Sequence, residues 1–304
     1  MAGGLSRTGQ RAGAVNAYAI ATKTGKLTSL NQQTSGGTGP CHLVLDVSGK
    51  CVLIANYGSG SIAALPIQAD GHLGSATSVI QHTGSSVNLK RQAGPHAHFI
   101  TPSPDNRFAL ACDLGLDKIL IYQLDAANAR LTTNAPPAAT AVPGAGPRHL
   151  VFRPNGKSVY VLNEMAVTIT VFDYDAATAG FSEKQNIATV PAGYAITEKD
   201  SGAEIAIHPN GKFIYASNRG PNDIAVLAVD ESTGTLTLVQ NESTQGKTPR
   251  HFAIDPSGRW LLAENQNSDS VVVFALDPQT GRLKPSGQSI TVGSPVSAVF
   301  VEMK

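Results

Sequence analysis

The sequence repeats one head-and-turn segment five times, and that repeat limits the fold more than any other feature. It reads GPCHLVLDVSGKCVLIANYG from Gly39, GPHAHFITPSPDNRFALACDLG from Gly94 and GPRHLVFRPNGKSVYVLNE from Gly146. It returns as SGAEIAIHPNGKFIYASNRG from Ser201 and TPRHFAIDPSGRWLLAENQN from Thr248. The turn positions Val47, Pro104, Pro154, Pro209 and Pro256 are 57, 50, 55 and 47 residues apart. Each head is an apolar run, a four-residue turn and a second apolar run. A second hairpin follows, as in IYQLDAANARLT, VFDYDAATAGFS, VLAVDESTGTLT and VFALDPQTGRLK. One repeat is therefore four antiparallel strands, and a period near 50 predicts an all-β propeller with one blade per repeat. No helical period of 3.6 is sustained anywhere.

The two ends fit the same scheme. Residues 13–30, GAVNAYAIATKTGKLTSL, read as the second half of a repeat, and residues 294–302, SPVSAVFVE, as the first half of another. Such ends suit a ring that closes by pairing its last strand with its first ones. Here the closing blade lacks at least its second strand. The expectation is a single propeller domain over residues 1–304, with five full repeats, terminal part-repeats and residues 1–12 disordered.

Composition narrows the partners. A net charge of +1 leaves no electrostatic footprint for nucleic acid. One tryptophan and 6% aromatic residues disfavour base-stacking platforms. No apolar run approaches the ~18 residues that span a bilayer, and the start has no apolar signal region. Cys41, Cys51 and Cys112 fit no metal knuckle and suggest no pairing, so they read as small hydrophobes in a reducing, cytoplasmic setting. A monomer or small homo-oligomer is expected.

Stacking the heads isolates the chemistry. In a propeller the first strand of each blade lines the central channel, so its ends form a shared rim. The strand-start column reads Cys41, His98, Arg148, Ala203, Arg250, and the next His42, Phe99, His149, Glu204, His251. The strand-end column is Asn56, Asp113, Asn163, Asn218, Asn265, and the one after it Tyr57, Leu114, Glu164, Arg219, Gln266. Equal steps outward from the turn set Arg148 opposite Asn163 and Arg250 opposite Asn265. Asn and Asp at a strand end satisfy local backbone groups. The neighbouring columns vary in type, which is what an asymmetric pocket needs. His42, Asn56, Tyr57, His96, His149, Asn163, Glu204, Asn218, Arg250, His251 and Asn265 are candidate substrate contacts. Arginines bind anions bidentately and stabilise oxyanions, and Glu164 or His98 suits a general base. The histidines lie in different blades and the carboxylates are too few for an oxygen cage, so neither metal nor cofactor is expected. Residues 75–93, with His82, Lys90 and Arg91, and residues 185–202 are long connections that either cover the binding face or run over the surface.

The GPHAH, GPRH, LNE and SNRG heads, with the QHTGSS and TQGKTPR segments, resemble the lactonase family of seven-bladed propellers from about residue 13 to the C-terminus. That family contains propeller-type 6-phosphogluconolactonases and carboxymuconate lactonizing enzymes. The resemblance implies seven blades, metal-independent chemistry on a lactone, and a site of His98, Arg148, Glu164 and Arg219. Family members carry a further blade and two strands before the GAVNAYAI segment, so the resemblance implies either a truncated chain or a misplaced start codon. Hydrolysis of 6-phosphogluconolactone is the leading expectation. A carboxymuconate-type cycloisomerase or a non-catalytic binding propeller is the alternative.

Overall fold

The computed structural model describes residues 12–301. But for Ala12, the stretch expected to be disordered lies outside the described residues. Among the described residues, twenty-two strands account for nearly all regular structure, with one three-residue 3₁₀ turn at Gln266–Ser268. They form one two-stranded sheet and five four-stranded sheets. The two-stranded sheet is β1 (Ala14–Ile20) and β2 (Leu27–Thr34). The first four-stranded sheet runs β3 (Pro40–Leu45), β4 (Cys51–Asn56), β5 (Ser61–Pro66) and β6 (Ser78–Gln81). The next runs β7 (Ala97–Pro102), β8 (Phe108–Asp113), β9 (Lys118–Asp125) and β10 (Arg130–Thr140). The third holds β11 (Pro147–Phe152), β12 (Ser158–Asn163), β13 (Thr168–Asp175) and β14 (Gly180–Ala188). The fourth holds β15 (Ser201–Ile207), β16 (Phe213–Arg219), β17 (Asp223–Val229) and β18 (Leu236–Ser243). The last is β19 (Pro249–Ile254), β20 (Trp260–Asn265), β21 (Ser270–Leu276) and β22 (Leu283–Thr291). Each is an antiparallel meander in chain order, two hairpins per repeat, as the sequence predicts.

The second strand of each meander is a largely apolar run, and in three sheets its burial shows why. β4, β8 and β12 are buried at every position, because sheets pack on both of their faces. The chain divides into two compact units. The first is the described chain up to Pro147 with Ala176–Gly180, and the second is Arg148–Asp175 with the chain from Phe181 on. In the first unit Leu53 and Ile62 pack with Ile100, Ala111 and Tyr122 of the following sheet. In the second, Tyr160 and Leu162 pack with Ile205 and Ile214, and Phe213 and Tyr215 with Phe252 and Phe274. Full burial of such side chains contributes about 1.5–3 kcal/mol each, before the loss of conformational freedom is counted.

Two sequence expectations need correction. Residues 294–301 form no strand. Their apolar side chains, among them Val296, Val299 and Val301, are exposed, so the segment has the composition of a strand without the pairing that makes one. The register at the head of the blade is also displaced. Asn265 faces Pro249 and Glu264 faces His251, leaving Arg250 in a β-bulge rather than opposite Asn265. The same bulge holds Cys41 between Pro40 and His42, and His98 between Ala97 and Phe99. A further register shift falls between Gly202 and Ile205. One extra residue on the inner strand defeats a count of equal steps from the turn, and it re-aims the side chain it carries. Among the described residues no helix is long and apolar enough to cross a membrane.

Candidate active site

The Asn column serves the blade itself. Asn56, Asn163, Asn218 and Asn265 are fully buried. The Asn56 amide donates to the Ser35 carbonyl and that of Asn265 to the Thr244 carbonyl, 21 residues upstream in each case. The Asn218 amide donates to the Thr189 carbonyl and the Asp223 carboxylate, and its oxygen accepts from the Thr189 hydroxyl. Asn163 donates to the Thr168 and Thr170 hydroxyls. Asn56, Asn218 and Asn265 thus close the loops that lead into their heads, whereas Asn163 ties the end of β12 to β13. Gly246 makes room for one of them, since a Cβ there would lie 2.4 Å from the Asn265 amide carbon.

In the first unit the candidate residues form a ring cluster. His96 stacks on Tyr57 with centroids 4.4 Å apart, and its Nδ1 donates to the Tyr57 carbonyl at 3.0 Å. Tyr57 meets the buried His98 edge-on at 5.6 Å. His42 lies against Phe99, with centroids 4.2 Å apart. Behind them Asp113 accepts from the His96 and Gly115 amides and from His82 Nδ1, the last at 2.7 Å, while Tyr122 bonds the other nitrogen of His82 at 3.0 Å. His82, marked in the sequence as part of a long connection, is thus a buried brace, whereas Lys90 and Arg91 are exposed.

In the second unit the candidates form a chain of alternating charge. Glu164 Oε2 lies 2.9 Å from Arg148 Nε and 3.1 Å from Arg219 Nη2. Arg148 Nη1 also donates to the Ala203 carbonyl and, at 3.3 Å, to His149 Nε2. A guanidinium has only donors, so that nitrogen of His149 accepts and its Nδ1 carries the proton to Glu204 Oε1 at 2.9 Å. The far oxygen of Glu204 lies 3.6 Å from His251 Nε2, and His251 Nδ1 lies 2.6 Å from Glu264 Oε2. Burial, reinforced by Arg148, pushes the His149 imidazole below its ordinary value. Burial works against the Glu204 charge, but its contacts with His149 and His251 and the nearby Arg148 outweigh it and hold the carboxyl at about 2. For His251 burial again opposes the charge, yet Glu264 and Glu204 together raise its value.

Exposure separates the roles these residues can play. The Arg148 side chain is 2% exposed and its donors are spent on protein groups, so it is a structural cation. The Arg219 side chain is 16% exposed, and that of His251 22%. Arg250, half-buried in its bulge, makes no hydrogen bond or ion pair among the described residues. Among the candidate residues of this unit, Arg219, Arg250 and His251 are therefore the cationic groups placed to meet an anion. Glu264 lies outside the four rim columns of the sequence. The residue one step before the strand-end column is Ala55, Cys112, Leu162, Ser217 and Glu264, and the single carboxylate in that column was the available signal.

A family model described as "Lactonase, 7-bladed beta-propeller" matches residues 5–300. The 6-phosphogluconolactonase of Bacillus subtilis is 37% identical over 240 residues, which cover 79% of this chain and 67% of that protein. The 6-phosphogluconolactonase of Formosa agariphila is 34% identical over 257 residues, or 80% and 68% of the two chains. The chain thus spans about two thirds of the length of these relatives. The crystal structure of the periplasmic gluconolactonase of Pseudomonas aeruginosa superimposes with a TM-score of 0.89 at 32% identity, covering 98% of this chain and 82% of that one. A protein structure from Bacteroides fragilis gives a TM-score of 0.87 at 37% identity, covering 93% and 79%.

Proposed function

The chain belongs to the lactonase family of seven-bladed β-propellers, and from that membership we propose that it hydrolyses 6-phosphogluconolactone to 6-phosphogluconate. The observation that carries the reading is the Arg148–Glu164–Arg219 clasp, three residues matched to the family site and brought together in a nearly buried place. In lactone hydrolysis water attacks the carbonyl carbon, negative charge gathers on the carbonyl oxygen, and the ring oxygen then leaves. Glu164 accepts the proton of the attacking water. Arg148 fixes the carboxylate from behind, and Arg219, the more exposed partner, stabilises the developing oxyanion. Arg250 supplies a cation for the phosphate. His98 enters the site on the resemblance alone; the structure places it on the first unit's bulge, against Tyr57.

A cytoplasmic setting is part of this reading. Cys41, Cys51 and Cys112 form no disulfide, and burial pushes the Cys51 thiol up to about 12, which makes it a poor nucleophile. The test of function is initial-rate hydrolysis of 6-phosphogluconolactone beside glucono-δ-lactone. Turnover with preference for the phosphorylated lactone is expected. No turnover of either removes the reading.

A further inference from the structure

We infer that His251 is the proton donor to the leaving ring oxygen of the lactone, and that Glu264 is its positioning residue. The inference rests on the lactonase reading and assigns a step that the Arg148–Glu164–Arg219 clasp leaves without a donor. Breaking the bond between the carbonyl carbon and the ring oxygen releases an alkoxide, a poor leaving group unless it is protonated as it departs.

His251 has the geometry for that task. Its Nδ1 is pinned at 2.6 Å by Glu264, whose side chain is 1% exposed, so the ring has one orientation. Its Nε2 faces Glu204 Oε2 at 3.6 Å, longer than a hydrogen bond, and is therefore available to another acceptor. Within the chain of charges it is the most exposed member. It also borders an open groove of about 410 Å³ lined by Glu204, Phe252, Ile254, Ala298, Val299 and Phe300. The groups facing the imidazole are Glu264 from β20, Glu204 from β15, and Arg148 and His149 from β11. Burial opposes the protonated ring and so does Arg148, but the two carboxylates favour it, with a net upward displacement. An imidazolium with a fixed Nδ1–H and an available Nε2–H is a general acid, just as an Asp-held imidazole orients its far nitrogen toward substrate.

The step balances. Water adds to the carbonyl carbon and its proton passes to Glu164. The carbon to ring-oxygen bond breaks, and that oxygen takes the Nε2 proton of His251. The neutral imidazole is reprotonated from solvent and Glu164 loses its proton to solvent. The product forms as a carboxylic acid with a free hydroxyl and releases the carboxyl proton to solvent as it leaves as a carboxylate.

The experiment is the pH profile of kcat on 6-phosphogluconolactone for the full chain and for His251→Asn and Glu264→Gln. The wild type should lose kcat at alkaline pH, as the acid deprotonates. His251→Asn should lower kcat about a hundredfold or more and abolish that limb. Glu264→Gln keeps the acceptor on Nδ1 and removes its charge, so the limb should move to lower pH with KM unchanged. If His251→Asn does not fold, the shifted limb of Glu264→Gln decides alone. An active wild type whose alkaline limb moves in neither variant overturns the inference and leaves the lactonase reading standing. An inactive wild type removes both.

Discussion

Arg148 and Glu164 form an ion pair of 2.9 Å between side chains only 2% and 7% exposed, and Arg219 closes on the same carboxylate oxygen. Two cations and one anion leave a net positive charge on this clasp. A substrate that becomes more negative on the way to its transition state is attracted to it most at the moment of reaction.

Glu164→Ala should therefore fail in two separable ways. Removing one partner of a buried pair leaves the guanidiniums uncompensated, at a cost of about 3–5 kcal/mol in unfolding free energy. Glu164→Gln keeps the shape and part of the hydrogen bonding, so it should fold better while kcat stays low. Urea unfolding and steady-state kinetics on both variants check this. A Glu164→Gln enzyme with unchanged kcat would mean that the residue is structural only.

Arg250→Ala should behave in the opposite manner. The side chain has no protein partner among the described residues, so stability should change by no more than about 0.5 kcal/mol. KM for 6-phosphogluconolactone should rise about tenfold or more, the effect of losing a charged contact to the phosphate. KM for glucono-δ-lactone should hardly move. Equal changes for the two lactones would take Arg250 away from the phosphate.

The sequence columns already contained Arg148, Glu164, Arg219, His149, Glu204 and His251, because a repeated scaffold with varied residues at one level is legible without coordinates. What the columns could not show was pairing. The bulge at Arg250 sets Asn265 opposite Pro249 and takes Arg250 out of the register that equal steps give, while His251 keeps Glu264 opposite it. Arg148 reads as a rim residue and a member of the implied site in the sequence, and only its contacts with Ala203, His149 and Glu164 show that it faces the protein. A backbone bulge decided the first case and tertiary burial the second, neither of them visible in residue type.

The Asn column predicts stability effects in a definite order. Asn218 makes two donor bonds and one acceptor bond, whereas Asn265 makes one donor bond. Asn218→Ala should cost about 3 kcal/mol and Asn265→Ala nearer 1, since each buried partner left unpaired carries its own penalty. Neither should lower kcat of the folded enzyme. Chemical denaturation gives the order, and a reversed order would show that the loops relax to recover their bonds.

The pair His149–Glu204 predicts a two-stage acid loss. His149 has a lowered value in the folded protein, so below its ordinary 6.5 the unfolded chain takes a proton that the native one refuses, and stability falls. Glu204 is depressed from its ordinary 4.5 to about 2, so its contribution is complete above 4.5 and is lost as pH falls from there toward 2. His251 runs the other way. Its raised value adds stability below 6.5 that disappears as pH rises through the folded value. The three together place their combined maximum near pH 6.5. Glu204→Gln should remove the second acid stage, about 3 kcal/mol between pH 4.5 and 2, since one unit corresponds to about 1.4 kcal/mol. The same change takes a carboxylate away from both imidazoles, so the first stage should persist and the alkaline loss should begin at lower pH. Urea midpoints of both proteins across pH 3–9 test the pattern. Parallel curves for wild type and variant would mean that Glu204 is not coupled to either histidine.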